Sequence, residues 1–330
     1  MRIIHASLAT ALLIPSWAIS AEIPAASLRT AAQKGLALLE STSPTFIKKG
    51  GCNSCHNQFL PAAAQGFARQ RGIKTGEPIA QLPPELSEAT TERIIEYATV
   101  NANSLGYELF SYAAANRPSD ARIEAEVYSL KSMQDPDGAW RTAGNRPPLT
   151  FDDFTTTAYA IYALKTYTPE PQRVDSDARI ARARSWLLEA KPRTTHERAF
   201  QLLGLAWAKA GRESLERAAK GIEATQRKDG GWSQLAAMPS DAYATGMSLY
   251  ALYISGVPVA RSSYQAGLRY LLDTQAPDGT WHVRTRSLPV QPYFESGYPY
   301  AHDQWISAAG AAYATMAIAA AVEPQRAAVR

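Results

Sequence analysis

The sequence QDPDGAW at residues 134–140 returns in altered form as QRKDGGW at residues 226–232 and as QAPDGTW at residues 275–281. All three stretches share the pattern Gln-x-x-Asp-Gly-x-Trp, and each lies between two segments with helical periodicity. The glycine supplies the positive φ angle that ends a helix, and the tryptophan gives the turn a large side chain to pack. The pattern therefore predicts three equivalent turns, each inside a hairpin of two helices.

The spacing of these turns predicts further hairpins. The first two turns are 92 residues apart and the last two are 49 apart, so a hairpin without the signature is expected between the first two. Extended along the chain, the frame predicts six hairpins and twelve helices: 31–41 with 58–70, 88–100 with 104–115, 122–133 with 154–166, 178–190 with 197–210, 213–225 with 242–255, and 263–274 with 304–321.

The second helix of each predicted pair is rich in small and aromatic residues, whereas the first helix carries more Arg and Glu. This difference indicates a crowded inner layer of second helices and a solvated outer layer of first helices. Because a helical hairpin cannot bury its apolar faces alone, the row of hairpins must stack or close on itself. We predict an all-α fold, an (α/α)6 toroid of about six helical hairpins, with an open superhelical array as the alternative.

The three turns resemble the QW repeats of squalene-hopene and other triterpene cyclases, whose toroid is shared by protein prenyltransferase β-subunits. The stretch ESGYPY at residues 295–300 also resembles a Gly-aromatic-Pro stretch of those cyclases. The resemblance covers roughly residues 120–321. It implies a squalene cyclase C-terminal-like region at 119–322, preceded by N-terminal hairpins at 22–118 and followed by a tail at 323–330.

The sequence departs from these families at their reactive groups. The resembled cyclases start their reaction with a carboxylic acid in an Asp-x-Asp-Asp motif, which is absent here, and Asp152-Asp153 is predicted to cap a helix. The zinc site of prenyltransferases needs a cysteine in the second half of the chain, where there is none. Active triterpene cyclisation is therefore placed last among the functions considered.

The only two cysteines lie in the stretch GCNSCHNQ at residues 51–58. The spacing Cys-x-x-Cys-His is typical of covalent haem c attachment, with Cys52 and Cys55 bound to the porphyrin and His56 as an axial iron ligand. The alternatives are a redox disulfide, a lone structural disulfide and, because Gln58 follows Cys55 at thioester spacing, an internal thioester. In the predicted frame this stretch precedes an inner helix, so the haem would lie at one mouth of the ring.

Other side chains are expected near the same mouth. His302 and His196 are candidates for a sixth iron ligand, with Met238 and Met247 as competitors. Asp153, Asp241 and Asp303 are helix caps or, as a sharper hypothesis, catalytic acids or bases. Aromatic residues are expected to wall a cavity for an apolar isoprenoid or lipid: Tyr243, Tyr293, Phe294, Tyr298, Tyr300 and Trp305.

Composition and the N-terminus complete the prediction. The chain has 330 residues, 46% of them hydrophobic and 19% charged, which argues against disorder, and its net charge of +4 gives no nucleic-acid footprint. Residues 1–21 read as a signal peptide, which predicts a periplasmic protein. Residues 306–322 are predicted to form a buried helix and not a membrane span.

These features lead to three functional hypotheses. The first is an exported haem c-binding protein that transfers electrons to a redox partner protein or oxidises an apolar substrate, which would make it a haem-dependent oxidoreductase. The second is a non-catalytic module that binds lipid or protein. The third is an active cyclase.

Overall fold

A computed structural model describes residues 23–50, 54–79 and 101–322 of the chain. Within these residues it contains eleven α-helices and a two-stranded antiparallel ribbon of β1 (Trp232–Ser233) and β2 (Ser240–Asp241). The helices are α1 (Ala25–Gly50), α2 (Leu60–Gln70), α3 (Ala102–Ala114), α4 (Ala121–Ser132), α5 (Asp153–Tyr167), α6 (Arg173–Glu189), α7 (Thr195–Trp207), α8 (Arg212–Glu223), α9 (Ala242–Ile254), α10 (Ser262–Thr274) and α11 (Gln304–Ala320).

Six of the described helices form a closed inner ring. In order around the ring they are α2, α3, α5, α7, α9 and α11, and α11 contacts α2 again. The other described helices lie outside this ring. The predicted all-α toroid is therefore confirmed, and the open superhelical array is wrong because the last inner helix packs against the first.

Small residues allow the inner helices to approach one another closely. All of α11 is buried, and it consists largely of Ala, Gly and Ser. At Gly246 in α9 an added Cβ would lie 2.4 Å from the backbone nitrogen of Ala314, so the two helices touch through their backbones. In contrast, α8 buries only Ala219 and Ile222. The predicted division into a crowded inner layer and a solvated outer layer is what the structure shows.

The three signature turns share one set of hydrogen bonds. Their glycines have φ angles of +98°, +86° and +92° at Gly138, Gly230 and Gly279. The tryptophan indole N–H donates to a carbonyl in the preceding outer helix, in the pairs Trp140 to Leu130, Trp232 to Ile222 and Trp281 to Leu271, at 2.6, 2.9 and 2.8 Å. Each indole thus ties the turn to the last turn of the preceding outer helix.

The glutamine of each turn connects one hairpin to the next outer helix. Its side-chain amide donates within the turn and also to a backbone carbonyl of that helix, in the pairs Gln134 to Arg179, Gln226 to Ser263 and Gln275 to Ala31, at 3.0, 2.7 and 3.0 Å. The third pair joins the last hairpin to α1. The same contact that links successive hairpins therefore also closes the ring.

The observed helices differ from the predicted ones mainly at the N-terminal end. The first outer helix runs from Ala25 to Gly50, so it continues through Pro44 and well beyond the predicted end at residue 41. The hairpin without a signature turn is present as α6 and α7. The predicted signal peptide, the helix at 88–100, the tail at 323–330 and Cys52 lie outside the described residues. No described helix combines the length and apolar character that a bilayer crossing requires.

Candidate functional site

The N-terminal ends of the inner helices meet at one end of the ring, which we call the mouth. Polar side chains cap several of these helices by accepting a backbone N–H of the first turn: Asn101 for α3, Asp152 for α5, Thr194 for α7 and Asp241 for α9. Such caps satisfy backbone donors that have no partner inside the helix. Capping by Asp152 and Asp241, which the sequence predicted, is confirmed.

Asp152 has contacts beyond its capping bond. Its carboxylate accepts the backbone N–H of Thr155 at 2.9 Å, and His196 Nε2 lies 3.1 Å from its Oδ2. The Thr155 hydroxyl donates to the same carboxylate. The side chain of Asp152 is only 9% exposed and that of His196 2%. The carboxyl group of Asp152 is therefore hydrogen-bonded on several sides at a position that is largely removed from water.

Tyr243 holds His196 from the other side. Its hydroxyl is 2.8 Å from Nδ1 of His196, and the two rings are nearly coplanar. Nε2 of His196 also lies 2.5 Å from the Thr155 hydroxyl oxygen. With a proton on Nε2 shared between Thr155 and Asp152, Nδ1 accepts from the Tyr243 hydroxyl, so one tautomer satisfies all three contacts. Asp152, His196 and Tyr243 come from three successive inner helices, α5, α7 and α9, and form what we call the acid triad.

A second buried carboxylate caps α9. Asp241 accepts the backbone N–H of Ala244 at 2.8 Å and the side-chain amide of Gln234 at 3.0 Å, and burial raises its pKa to about 6. The carbonyl of Gln234 in turn accepts from Arg286 at 3.1 Å. Asp241 therefore faces an amide where Asp152 faces an imidazole.

His56 lies on the opposite side of the mouth, in a π-helical turn (Cys55–Phe59) that leads into α2. Its Nδ1 is 2.5 Å from Oδ1 of Asn57, and its Nε2 lies 3.5 Å from the guanidinium of Arg146. Burial, with a smaller contribution from Arg146, lowers the pKa of His56 to about 3. Burial also raises the pKa of the Cys55 thiol to about 11. Both side chains are therefore held in their neutral forms.

A cavity of about 240 Å³ opens at the mouth. Its wall includes His56, Arg146 and three aromatic side chains that lie close to His56 or to one another: Phe46, Phe294 and Trp305. The loop from Thr285 to Ser296 supplies much of the remaining wall. Of the aromatic residues expected around a cavity, Tyr293, Phe294 and Trp305 line this one. Tyr243 belongs to the acid triad, Tyr298 is buried, and Tyr300 stacks on His282.

Two arginines at the mouth have no carboxylate partner among the described residues. The Arg146 guanidinium lies over the ring of Trp305, 4.2 Å from its centroid, and contacts His56. Arg286 contacts the amide of Gln234. Burial lowers the pKa of both guanidinium groups. Arg286 is nevertheless attracted by the nearby carboxylates of Asp152 and Asp241, whereas no carboxylate acts on Arg146 among the described residues. A partly buried cation without a counterion is costly, so an anionic ligand would be stabilised at Arg146.

The structure separates the predicted site residues. His302 lines the same cavity as His56 and contacts Tyr293, whereas His196 is engaged in the acid triad. Asp153 pairs with Arg141 at 3.0 Å and accepts the backbone N–H of Thr142. Asp303 accepts from His282 and from the backbone of Thr285, both at 2.7 Å. Of the two competing methionines, Met247 is buried in the core and Met238 is half-buried in the loop before α9.

The sequence reasoning missed Arg146, Arg286 and the pairing of Asp152 with His196. Asp152 caps α5 and His196 lies in the first turn of the next inner helix, α7, two residues after its cap Thr194, and their place at the start of successive inner helices was the available signal. No pattern marks the two arginines, because both lie in irregular loops whose course depends on the closed ring.

Haem attachment at Cys52, Cys55 and His56 is not tested by the structure and stays a prediction. The Nε2 atom of His56, which would bind iron, faces the guanidinium of Arg146, so this contact would have to open for ligation. In the described part of the chain no three His, Cys, Asp or Glu side chains are grouped as a metal site.

Comparisons with known proteins connect the chain to terpene cyclases. No family model matches the sequence. Drimenyl diphosphate synthase from Streptomyces showdoensis is 32% identical over 204 residues, which are 56% of this chain and 36% of that protein. The chain thus spans about a third of the length of this curated relative.

Solved structures extend the likeness to the whole ring. The type II terpene cyclase MstE from Scytonema, solved with geranylgeranyl dihydroxybenzoate as substrate, superposes with a TM-score of 0.55 at 13% identity, over 89% of this chain and 98% of that chain. A protein from Actinoplanes gives a TM-score of 0.52 at 15% identity, over 89% and 99% of the two chains.

These comparisons correct the first functional hypothesis. Electron transfer or substrate oxidation by an exported haem protein is wrong as the function of this chain, because its relatives are terpene synthases and cyclases. The ranking of cyclisation below haem chemistry is wrong for the same reason. The chain has the α/α fold of the terpene cyclases.

Proposed function

We propose that the chain is a terpene cyclase that protonates an anionic isoprenoid at the mouth of the ring. The observation that carries the proposal is the acid triad, in which a nearly buried carboxylate is held by an imidazole in a terpene-cyclase-like fold. Further support comes from the relative named drimenyl diphosphate synthase and from the fold shared with MstE.

Asp152 is the proton donor in this proposal. Asp152 carries a proton before the transfer, as a general acid must. Proton transfer from Asp152 leaves a carboxylate that already has the backbone N–H and hydroxyl of Thr155 and Nε2 of His196 as donors. The proton adds to a carbon–carbon double bond and leaves a carbocation, which a second double bond of the same chain attacks to close a ring.

His196 and Tyr243 are positioning residues. His196 fixes the Asp152 carboxylate at 3.1 Å, and the 2.8 Å contact with Tyr243 fixes the tautomer of His196. The ring atoms of His196 are also packed against Phe200, with ring centroids 4.6 Å apart. The triad therefore presents its acid in one orientation before any substrate binds.

The arginines at the mouth fit the anionic end of the substrate. Arg146 lines the cavity and forms no ion pair among the described residues. Arg286 lies between two residues that line the cavity, Thr285 and Ser287, and donates to Gln234. Guanidinium groups bind phosphate and carboxylate oxygens in bidentate geometry. The relative's name specifies a diphosphate, and the ligand of MstE is a benzoate. We assign the diphosphate of a prenyl diphosphate to Arg146 and Arg286.

Aromatic side chains suit the positive charge that cyclisation produces. Phe46, Phe294 and Trp305 form one wall of the cavity, and their π faces attract cations. The reaction ends when the cation loses a proton, so no proton is consumed overall.

A product assay tests the proposal. Purified protein is incubated with farnesyl diphosphate and with geranylgeranyl diphosphate, the diphosphate is removed enzymatically, and the alcohols are identified by gas chromatography and mass spectrometry. We expect a cyclic product that has the same composition as the substrate. Asp152→Asn should lower kcat by about 10²–10⁴-fold, which is the usual contribution of a general acid.

Asp153→Asn is the matched control. Asp153 neighbours Asp152 in sequence but pairs with Arg141, and asparagine retains helix capping in the Asp152 variant. Equal losses in the two variants, or unchanged activity in Asp152→Asn, would contradict the assignment of the acid. A wild-type protein that gives no cyclic product from either substrate would contradict the proposed function.

Two predictions stand apart from this function. We propose, from the sequence pattern alone, that Cys52 and Cys55 bind haem c and that residues 1–21 direct export to the periplasm. The intact mass of protein purified from cells that perform c-type haem attachment tests both, because haem adds a fixed mass and signal cleavage removes the first residues. An unmodified full-length mass would contradict both.

A further inference from the structure

A second cavity, of about 510 Å³, lies at the end of the ring opposite the mouth. It is bounded by the ends of the inner helices α5 and α7 and by the outer helix α6 between them. The inner helices contribute residues near their C-terminal ends, such as Leu164 in α5 and Trp207 in α7, whereas the mouth is formed by their first turns. The volume lies within the range of roughly 300–1,000 Å³ that is typical of small-molecule sites, so a small ligand has room there.

Four cationic side chains line this cavity, which we call the basic groove: Lys165, Arg173, Arg184 and Lys209. The lining includes one carboxylate, that of Asp177. Among the described residues the two lysines and Arg184 form no ion pair, and Arg173 pairs only with Glu170, whose side chain is 90% exposed. Such an exposed pair neutralises little of the charge. The groove therefore carries an excess of positive charge, which attracts a ligand with more than one negative charge.

The two arginines of the groove are oriented by the inner helices. One guanidinium nitrogen of Arg184 donates to the carbonyl of Ala208 at 3.2 Å, and one of Arg173 donates to the carbonyl of Lys165 at 3.4 Å. Within the described part of the chain neither guanidinium group makes a second hydrogen bond. Because a guanidinium group has five N–H donors, each arginine retains donors for a phosphate oxygen.

Lys209 has a backbone conformation that favours glycine. Four inner helices, α2, α3, α7 and α9, are each followed by one left-handed residue at the same position: Gly72, Asn116, Lys209 and Gly256. Glycine and asparagine are the usual residues there, whereas a lysine is strained. Burial lowers the pKa of Lys165 in the same groove, and the charge of Lys209 lowers it further. A lysine at a strained position beside another cation indicates that its charge has a use.

The equivalent groove one hairpin further along the chain differs in charge. It lies beside α8, between the ends of α7 and α9, and has about 740 Å³. Its two arginines are paired, Arg212 with Glu216 at 2.7 Å and Arg261 with Glu223 at 3.1 Å, and its left-handed residue is Gly256. The unpaired cations of the basic groove are therefore not a general consequence of the fold.

We propose that the basic groove binds a diphosphate group, at a site separate from the mouth and independent of the proposed cyclisation. The diphosphate oxygens accept from the two guanidinium groups and pair with the two ammonium groups. Four cations against one carboxylate match the charge of a diphosphate better than that of a monophosphate. Ile180 and Ala181 of α6 give the groove an apolar side, which an organic ester of diphosphate can contact.

Calorimetry with inorganic pyrophosphate and with butyl diphosphate tests the proposal. Tighter binding of the butyl ester would identify an organic ligand, and equal binding would identify the inorganic ion, since the groove recognises the diphosphate in either case. Arg146→Gln separates the two sites, because Arg146 lines the cavity at the mouth and not the basic groove. We expect both ligands to bind this variant as they bind the wild-type protein.

Lys209→Gly is the decisive variant, because glycine removes a cation and relieves the backbone strain at the same position. We expect about tenfold weaker binding of pyrophosphate, as for the loss of one hydrogen bond to a charged group, together with a higher midpoint of thermal unfolding. A lysine with a purely structural role would not give this combination. Lys220→Gln is the matched control, because Lys220 lines the equivalent groove, and it should keep the wild-type affinity.

Three results would overturn the proposal. Unchanged affinity in Lys209→Gly, or an equal loss in Lys220→Gln, would mean that the anion binds elsewhere or through net charge alone. Binding that is lost in Arg146→Gln and kept in Lys209→Gly would assign the anion to the mouth. A wild-type protein that binds neither ligand at millimolar concentration would also contradict it, whereas the product assay decides the proposed cyclisation separately.

Discussion

Three of the loops that lead into inner helices begin with a signature turn and end at the mouth. The two regions differ in whether their residues are repeated from loop to loop. The turns repeat one arrangement three times, with the same indole, amide and glycine contacts. At the mouth each inner helix begins with a different side chain, such as Asp152, Thr194 or Asp241. Repetition serves stability here, because the same contact links one hairpin to the next wherever it occurs and closes the ring at Gln275. The proposed chemistry instead requires a single acid and a single partner.

This comparison gives opposite expectations for substitutions in the two regions. Changes in a turn should lower the free energy of unfolding and affect activity only through folding. Changes at the mouth should alter activity. Their effects on stability should be small where an isosteric residue keeps the capping bonds, except at Asp241, whose charged form is destabilised by burial. Each prediction below tests one side of this contrast.

The largest effect on stability is expected at a turn tryptophan. Trp232→Ala removes a fully buried indole and the bond from its N–H to Ile222, so we expect the free energy of unfolding to fall by about 3–5 kcal/mol. Urea unfolding followed by circular dichroism measures the change. Trp186→Ala, at a half-buried position on the outer helix α6, is the control and should cost clearly less. Equal losses of unfolding free energy in the two variants would show that a turn tryptophan contributes no more to stability than a tryptophan on an outer helix.

Asp241 tests the mouth through pH. The pKa of Asp241 is raised from 3.8 to about 6 by burial, so between these values the folded protein holds a proton that the unfolded chain has lost. Stability therefore decreases as pH rises through this window. Asp241→Asn keeps the cap without ionising, and above pH about 6 it should be more stable than wild type by up to about 3 kcal/mol, because one pKa unit corresponds to about 1.4 kcal/mol.

Urea unfolding of both proteins at several pH values checks this expectation. The two curves should converge near pH 4, where Asp241 is protonated in the folded state. A wild-type protein that gains stability relative to the variant as pH rises would mean that the carboxylate is stabilised at this position, contrary to the desolvation argument.

Ring closure is tested at two glycines that have nearly the same backbone conformation. Gly279 and Gly256 have φ angles of +92° and +89°, but an added Cβ at Gly279 would lie 2.5 Å from the carbonyl oxygen of Lys34, whereas at Gly256 it would meet nothing within 4 Å. Gly256→Ala should cost about 1 kcal/mol of backbone strain. Gly279→Ala carries the same strain plus the contact with α1, so we expect about 2–3 kcal/mol.

Thermal unfolding of the two variants isolates the contact between the last turn and the first helix, because the backbone strain cancels in the difference. Equal destabilisation would indicate that α1 adjusts freely and that the ring does not depend on this closure.

The features that could be predicted from the sequence recur along the chain, whereas the contacts that it did not predict occur only once. Local periodicity and the need to bury small apolar faces determine the helix order, the inner and outer layers and the glycine of each turn. Three copies of one turn were therefore enough to predict these features. The Tyr159–Tyr313 contact joins positions 154 residues apart on opposite sides of the ring, and no local pattern encodes it. Arg146 and Arg286 lie in loops without periodicity. The Cys52, Cys55 and His56 pattern is strong in sequence, yet it directed the functional hypothesis towards haem chemistry and away from the cyclisation now proposed at Asp152.

The finest test of the mouth is removal of one hydroxyl from the acid triad. Tyr243→Phe keeps the ring in place but leaves Nδ1 of His196 without its 2.8 Å partner, so His196 is no longer held in the tautomer that serves Asp152. We expect kcat to fall about tenfold with KM unchanged, because a positioning contact acts on the transition state and not on substrate binding. Tyr264→Phe removes an equally buried hydroxyl far from the mouth and should cost a similar 0.5–1.5 kcal/mol or so of stability without changing kcat. If both variants lose stability alike and keep full activity, the hydroxyl of Tyr243 serves packing, and the acid of this ring depends on His196 alone.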